Sequence, residues 1–92
     1  MNIAVIGMGK IGLPLAVQYA KKDNFVVGVD INAETVELIN QGKEPFPEEA
    51  NLKNFLKEVT NNHKLRATLD YSEAIAFAEV VVIVVPLLIN EK

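Results

Sequence analysis

Gly7-Met8-Gly9-Lys10-Ile11-Gly12 spaces three glycines as G-x-G-x-x-G, and the residues on either side decide what that spacing means. Ahead of it, Asn2-Ile-Ala-Val-Ile6 is a short apolar run that reads as a buried strand. Behind it, Leu13, Ala16, Val17 and Ala20 recur at helical spacing, which predicts a helix over Lys10 to Lys22 with one apolar face. Pro14 falls in or near its first turn, where a missing N–H costs least. Strand, glycine turn and helix in that order give the motif its physical sense. Gly7 permits the tight turn, Gly9 lets a pyrophosphate approach the backbone, and Gly12 lets the helix pack closely on the sheet. The helix N-terminus then offers unpaired N–H groups and a partial positive charge to the phosphates.

Phe25-Val-Val-Gly-Val29 forms a second strand, stopped by Asp30, which stands 18 residues after Gly12. A carboxylate at that place accepts hydrogen bonds from both hydroxyls of an adenosine ribose and repels a 2′-phosphate. No Arg follows at positions 31 to 35, so the pattern favours NAD over NADP. The plainer alternative is a strand-capping Asp beside a structural glycine turn.

Beyond Asp30, Asn32 suits the N-cap of a helix from Ala33 to about Asn40, with Val36, Leu38 and Ile39 on its apolar side and Gly42 as its stop. Two prolines make 44–49 a loop. A short helix over Leu52 to Val59 ends at Asn61-Asn62, a strand covers Leu65 to Leu69, and a helix covers Tyr71 to Ala78 with Asp70 or Ser72 near its cap. Val80 to Val85 is apolar throughout, as in a strand covered on both faces. This alternation predicts an α/β chain with a Rossmann-type parallel sheet and helices on both faces, a half-fold of strand order 3-2-1-4.

Other functions are disfavoured. The 92 residues fit one small domain, half of them hydrophobic. The net charge is -3 and no basic block exceeds Lys21-Lys22, which argues against a nucleic-acid partner. With no Cys there is no disulfide, thiolate metal site or cysteine nucleophile. The apolar run Val80 to Ile89 contains Pro86 and is too short to span a membrane, and the N-terminus lacks the basic region of a signal peptide, so a cytoplasmic location is expected. His63, Glu48 and Glu49 read as solvated. Met8 suits either a cofactor contact or packing on its neighbours. No metal-ligand spacing and no catalytic nucleophile–base pair is found.

The sequence resembles the N-terminal NAD-binding domain of the UDP-glucose/GDP-mannose dehydrogenases, the nucleotide-sugar 6-dehydrogenases. The resemblance lies in Ile3 to Leu13, in Val26-Val-Gly-Val-Asp-Ile-Asn32, in Leu65-Arg-Ala-Thr-Leu-Asp-Tyr-Ser-Glu-Ala-Ile75, and in Ala78-Glu79-Val80 and the Val85-Pro86 strand end, of which the string Thr68-x-Asp70…Glu73-Ala-Ile75…Val85-Pro86 is the more specific. It implies an enzyme that uses NAD to oxidise C6 of a UDP- or GDP-sugar, such as a UDP-hexose or UDP-N-acetylhexosamine, to the uronic acid for polysaccharide biosynthesis. Carried over by position, Gly7, Gly9, Lys10, Ile11, Gly12 and Asp30 would contact NAD, with Val85 and Pro86 at the strand end near it. The chain departs from the family at Thr35, where a basic residue is common, at Glu48-Glu49-Ala50-Asn51-Leu52, and at Leu87-Leu88 after the proline. Family enzymes are much longer and carry their catalytic Cys and Lys downstream. Residues 1–92 are therefore expected to be a partial NAD-binding domain, truncated after its fourth strand and inactive alone. Two other readings stand beside it: the cofactor domain of a 3-hydroxyisobutyrate or 6-phosphogluconate-type dehydrogenase, and a regulatory nucleotide-sensing module. At the sheet edge, the uncharged strand 80–85 is expected to recruit a second copy, unless Leu87-Leu88-Ile89 folds over the exposed surface.

Overall fold

A computed structural model describes residues 1–45 and 50–85 of the chain. The elements run β1 (Asn2–Ile6), α1 (Gly12–Lys21), β2 (Phe25–Val29), α2 (Ala33–Asn40), α3 (Ala50–Asn61), β3 (Leu65–Thr68), α4 (Tyr71–Phe77) and β4 (Val80–Ile83). The four strands are parallel in the order β3-β2-β1-β4. Fold class and strand order are those expected from the alternation of elements.

The two faces of the sheet are covered unequally. Ile3 and Val5 of β1 meet Leu13, Ala16 and Val17 of α1, Ile39 of α2 and Leu52, Leu56 and Val59 of α3 in the larger core. Among the described residues, the alternate strand residues, Ala4, Ile6, Val27 and Val29, pack with α4 and the residue after it: Ala74 is the buried contact, with Phe77 and Ala78 alongside. One short helix with an alanine at its contact point shields much less apolar surface than three helices do, and the consequence falls on β4. Val82 and Val84 pack against the larger core, while Val81 and Ile83 on the α4 side stay 40% and 68% exposed. The expectation of a strand covered on both faces is thus corrected: the apolar run of β4 lies at the margin of the sheet, beyond the reach of α4.

The helix and strand bounds differ in instructive places. α1 begins at Gly12 rather than Lys10, because residues 8–11 are spent on the turn out of β1. β3 stops at Thr68, whose hydroxyl accepts the Asp70 N–H at 3.1 Å and turns Leu69 out to solvent. Asp70, not Ser72, caps α4, accepting from the Ser72 and Glu73 amides, and α4 ends at Phe77 because Ala78 is already extended. β4 stops at Ile83 rather than Val85, since its partner β1 ends opposite it at Ile6. α3 is longer than expected and runs to Asn61, beyond which His63 adopts a left-handed φ of 60°. The Lys64 and His63 amides donate back to Val59 and Thr60, the same closing pattern that Asp23 gives α1 and Gly42 gives α2. Exposed His63 thus serves to end a helix. Beside it, Lys64 pairs with Asp23 at 2.8 Å and holds that carboxyl below the ordinary carboxylate range by hydrogen bonding and charge.

The outer edge of β3 is closed by a side chain. Asn40, the last residue of α2, donates to the Ala67 carbonyl at 2.9 Å and accepts the Ala67 N–H at 2.7 Å, so its amide pairs as a further strand would. Asn40→Ala leaves both backbone groups without their partner and is expected to lower stability by about 1–2 kcal/mol in urea denaturation. A loss below roughly 0.3 kcal/mol would show that water replaces the amide at no cost.

Candidate dinucleotide site at the glycine turn

The three glycines of the turn meet three different physical demands. Gly7 has φ of +101°, and a Cβ there would stand 2.7 Å from the Val84 carbonyl oxygen. At Gly12 a Cβ would stand 1.6 Å from the Gly7 carbonyl oxygen, so the first residue of α1 lies directly against the end of β1. At Gly9 a Cβ would meet no described residue beyond its chain neighbours within 4 Å. Two of the glycines are needed by the fold. The bareness of Gly9 leaves backbone open toward solvent, as close approach of a ligand requires.

The loop is tied down from below. The Gly7 N–H donates to the Val29 carbonyl at 2.7 Å, and the Gly9 carbonyl accepts the Leu13 N–H at 3.0 Å, which leads the turn into α1. Met8 is fully buried, with its thioether where a Cβ on Gly28 would otherwise go. Of its two sequence-based readings, packing is the one the structure supports. It also explains Gly28 in the middle of β2: the strand needs a gap there for Met8 to fill.

α1 is unlike the helices whose caps are formed by side chains. Asn32 caps α2 and Asp70 caps α4, each accepting two amides, and Glu34 or Glu73 stands in the first turn. Ile11, at the N-cap of α1, makes no side-chain capping bond, and no acid lies in that helix's first turn. Among the described residues, the start of α1 therefore has neither a side-chain cap nor an acid in its first turn, an arrangement suited to an anionic ligand. It opens on a cleft of about 400 Å³ lined by Gly7, Gly9, Lys10, Ile11, Gly12, Asp30 and Val84. A second hollow of about 340 Å³ shares Gly7, Asp30 and Val84 and continues past Ile31, Tyr71, Ile83 and Val85. Asp30 thus stands between a glycine-lined cleft and an apolar hollow.

The structure brings six of the eight site residues expected from the sequence around one cleft. Val85 lines the neighbouring hollow, and Pro86 lies outside the described residues, as do Glu48 and Glu49. Sequence reasoning missed Val84, Ile31 and Tyr71. Ile31 and Tyr71 follow β2 and β3 closely, and residues just past the carboxyl ends of parallel strands are where such a fold binds ligands, so the topology held that signal. Thr35, standing where a basic residue is common, donates its N–H to the Asn32 side chain. Among the described residues no group of three or more His, Asp or Glu is placed to hold a metal ion, and no helix is long and apolar enough to cross a membrane.

Residues 1–91 match the model of the UDP-glucose/GDP-mannose dehydrogenase family, NAD binding domain. The chain belongs to this family. It is 43% identical over 76 residues to the UDP-N-acetyl-D-mannosamine dehydrogenase of Salmonella typhimurium, covering 83% of this chain and 18% of that protein. To the GDP-mannose 6-dehydrogenase of Pseudomonas putida it is 36% identical over 85 residues, covering 92% of this chain and 19% of that one. Among solved structures it superposes on GDP-mannose dehydrogenase from Pseudomonas aeruginosa with a TM-score of 0.89 at 31% identity, over 94% of this chain and 20% of the other. The UDP-D-ManNAc dehydrogenase of Pyrococcus horikoshii gives 0.83 at 40% identity, over 92% and 20%. The chain spans about one fifth of the length of these relatives.

The glycines separate fold from ligand in a way that can be measured. Gly12→Ala forces a methyl into the Gly7 carbonyl and is expected to destabilise the domain by about 3 kcal/mol or more. Gly9→Ala meets open space and is expected to change stability by less than about 0.5 kcal/mol. Thermal unfolding of the two variants checks both values, and equal losses would show that the loop packs otherwise.

Proposed function

We propose that this chain is the NAD-binding segment of a nucleotide-sugar dehydrogenase, and that the cleft at Gly7–Gly12 takes the cofactor's pyrophosphate. The observation that carries the reading is the pairing of Gly9, whose Cβ position meets no described residue beyond its chain neighbours, with the uncapped, acid-free start of α1 beside it. Backbone N–H groups there would receive the phosphates, and the helix end would offset their charge. Asp30, between the two hollows, would accept the ribose hydroxyls, and the apolar hollow past Ile31 and Tyr71 would shelter the adenine ring. When bound, NAD supplies the hydride acceptor for alcohol oxidation. Gly7, Gly9, Lys10, Ile11, Gly12, Asp30 and the Val85-Pro86 strand end belong to binding; no catalytic residue is assigned within residues 1–92. In the whole protein the substrate would be a UDP- or GDP-sugar oxidised at C6 to the uronic acid. The named relatives, dehydrogenases of GDP-mannose and of UDP-N-acetyl-D-mannosamine, support that class without choosing its sugar.

Calorimetric titration tests the reading. NAD and ADP-ribose are expected to bind the unmodified chain, and Gly9→Ala, which keeps the fold, is expected to weaken both by about tenfold or more, ~1.4 kcal/mol. Asp30→Ala is expected to weaken NAD more than NADP, because it removes an acceptor and a repulsive charge together. Absence of binding, or equal weakening of the two nucleotides by Asp30→Ala, would overturn the assignment.

We also propose that the isolated chain self-associates through β4. Support comes from its place at the edge of the sheet, its run of four β-branched residues, and the exposure of Val80, Val81 and Ile83. Unlike β3, whose edge Asn40 closes, β4 has no side chain hydrogen-bonded along its outer edge among the described residues. Sedimentation at about 100 μM is expected to show a dimer, since weak interfaces have roughly micromolar constants. A single monomeric species would refute it.

A further inference from the structure

The carboxylate of Asp30 is committed before any ligand arrives. Its Oδ2 accepts the Met8 N–H at 3.0 Å, and its Oδ1 accepts the Asn32 N–H at 3.0 Å. Both are backbone donors on loops: Met8 in the glycine turn after β1, Asn32 at the start of α2. We propose that Asp30 is a positioning residue that clamps the glycine turn to the β2–α2 junction and so shapes the pyrophosphate cleft in the free protein. Ribose binding then adds to these two bonds rather than replacing them.

Three observations carry this. First, the Met8 N–H lies just past the last β1 residue in the sheet, so it has no strand opposite; Asp30 supplies the acceptor that the sheet no longer provides. Second, Met8 cannot swing away to find water, because its side chain is fully buried against Gly28 on the strand that Asp30 terminates. Turn and carboxylate are thereby held on the same piece of β2. Third, the second oxygen meets an element that is itself locked: Asn32 accepts from the Glu34 and Thr35 amides, so the bond from Asn32 to Asp30 extends the cap of α2 to the glycine turn. Bonds to a charged acceptor are the stronger kind, and a carboxylate has about four acceptor positions. Two amides leave room for two ribose hydroxyls, so clamp and ligand contact are compatible. The charge that would repel a 2′-phosphate therefore also sets the geometry of the turn. The clamp stands whether or not the dinucleotide reading is right; only its coexistence with a bound ribose rests on that reading.

Amide hydrogen exchange on the free 92-residue chain tests the clamp without a cofactor. In Asp30→Ala the Met8 and Asn32 amides are expected to exchange at least about tenfold faster, while Val27, in the middle of β2, keeps its rate. If the Met8 amide exchanges within about twofold of the unmodified chain, or if all amides accelerate equally, the clamp is wrong. Should Asp30→Ala fail to fold, Asp30→Asn decides. It offers an oxygen to only one of the two amides, so one of Met8 and Asn32 loses protection and the other keeps it; protection of both overturns the proposal. Adding ADP-ribose to the unmodified chain is expected to leave both amides protected, and release of either would overturn coexistence. A faster Met8 amide in Asp30→Ala together with an unchanged NAD-to-NADP affinity ratio would keep the clamp and remove the ribose role.

Discussion

The approach of α1 to the end of β1 is the contact on which the rest of this structure depends. A Cβ at Gly12 would lie 1.6 Å from the Gly7 carbonyl, so the helix axis and the strand end are as close as backbone allows. That closeness lets Leu13, Ala16 and Val17 reach Ile3 and Val5, and it aims the uncapped end of α1 at the cleft above the sheet. A larger residue at position 12 would move the helix off the sheet, thin the main core and turn the positive end of α1 away from the cleft. Packing and the shape of the cleft are set by the same contact here.

The second constraint is the uneven coverage of the sheet. Three helices bury one face, and on the other a seven-residue helix touches the strands chiefly through Ala74. The two edges are treated as differently as the two faces. At β3 the Asn40 amide takes up both backbone groups of Ala67; at β4 exposed β-branched side chains flank an outer edge that no described side chain caps. Val80, Val81 and Ile83 leave apolar side chains exposed at this margin of the sheet.

At the site, charge is distributed with the same economy. Two helices, α2 and α4, carry side-chain caps, Asn32 and Asp70, with an acid in the first turn. The helix that starts at the cleft carries neither. Asp30 is the described carboxylate lining that cleft, and its two oxygens are held by the Met8 and Asn32 amides. The acid-free helix end and the anchored carboxylate thus present opposite kinds of surface along one cleft.

Much of this was legible in the residues. Strand, turn and helix around Gly7–Gly12, the acid that ends β2, and the alternation of elements specify a parallel sheet of order 3-2-1-4, because hydrophobic period and glycine spacing are local properties of the chain. Asn32 could likewise be read as a cap, since a cap acts on amides two and three residues away. What the residues could not disclose depends on distant partners. Met8 reads equally as ligand contact or core until Gly28 is brought beneath it; Asn40 is an ordinary helix end until Ala67 lies beside it; an apolar β4 reads as covered on both faces until the short α4 leaves Val81 and Ile83 exposed. Asp30 shows the division within one residue. Its charge and place after β2 are written in the sequence, but its grip on the Met8 amide exists only because folding sets β1 and β2 side by side and ends both at the same level.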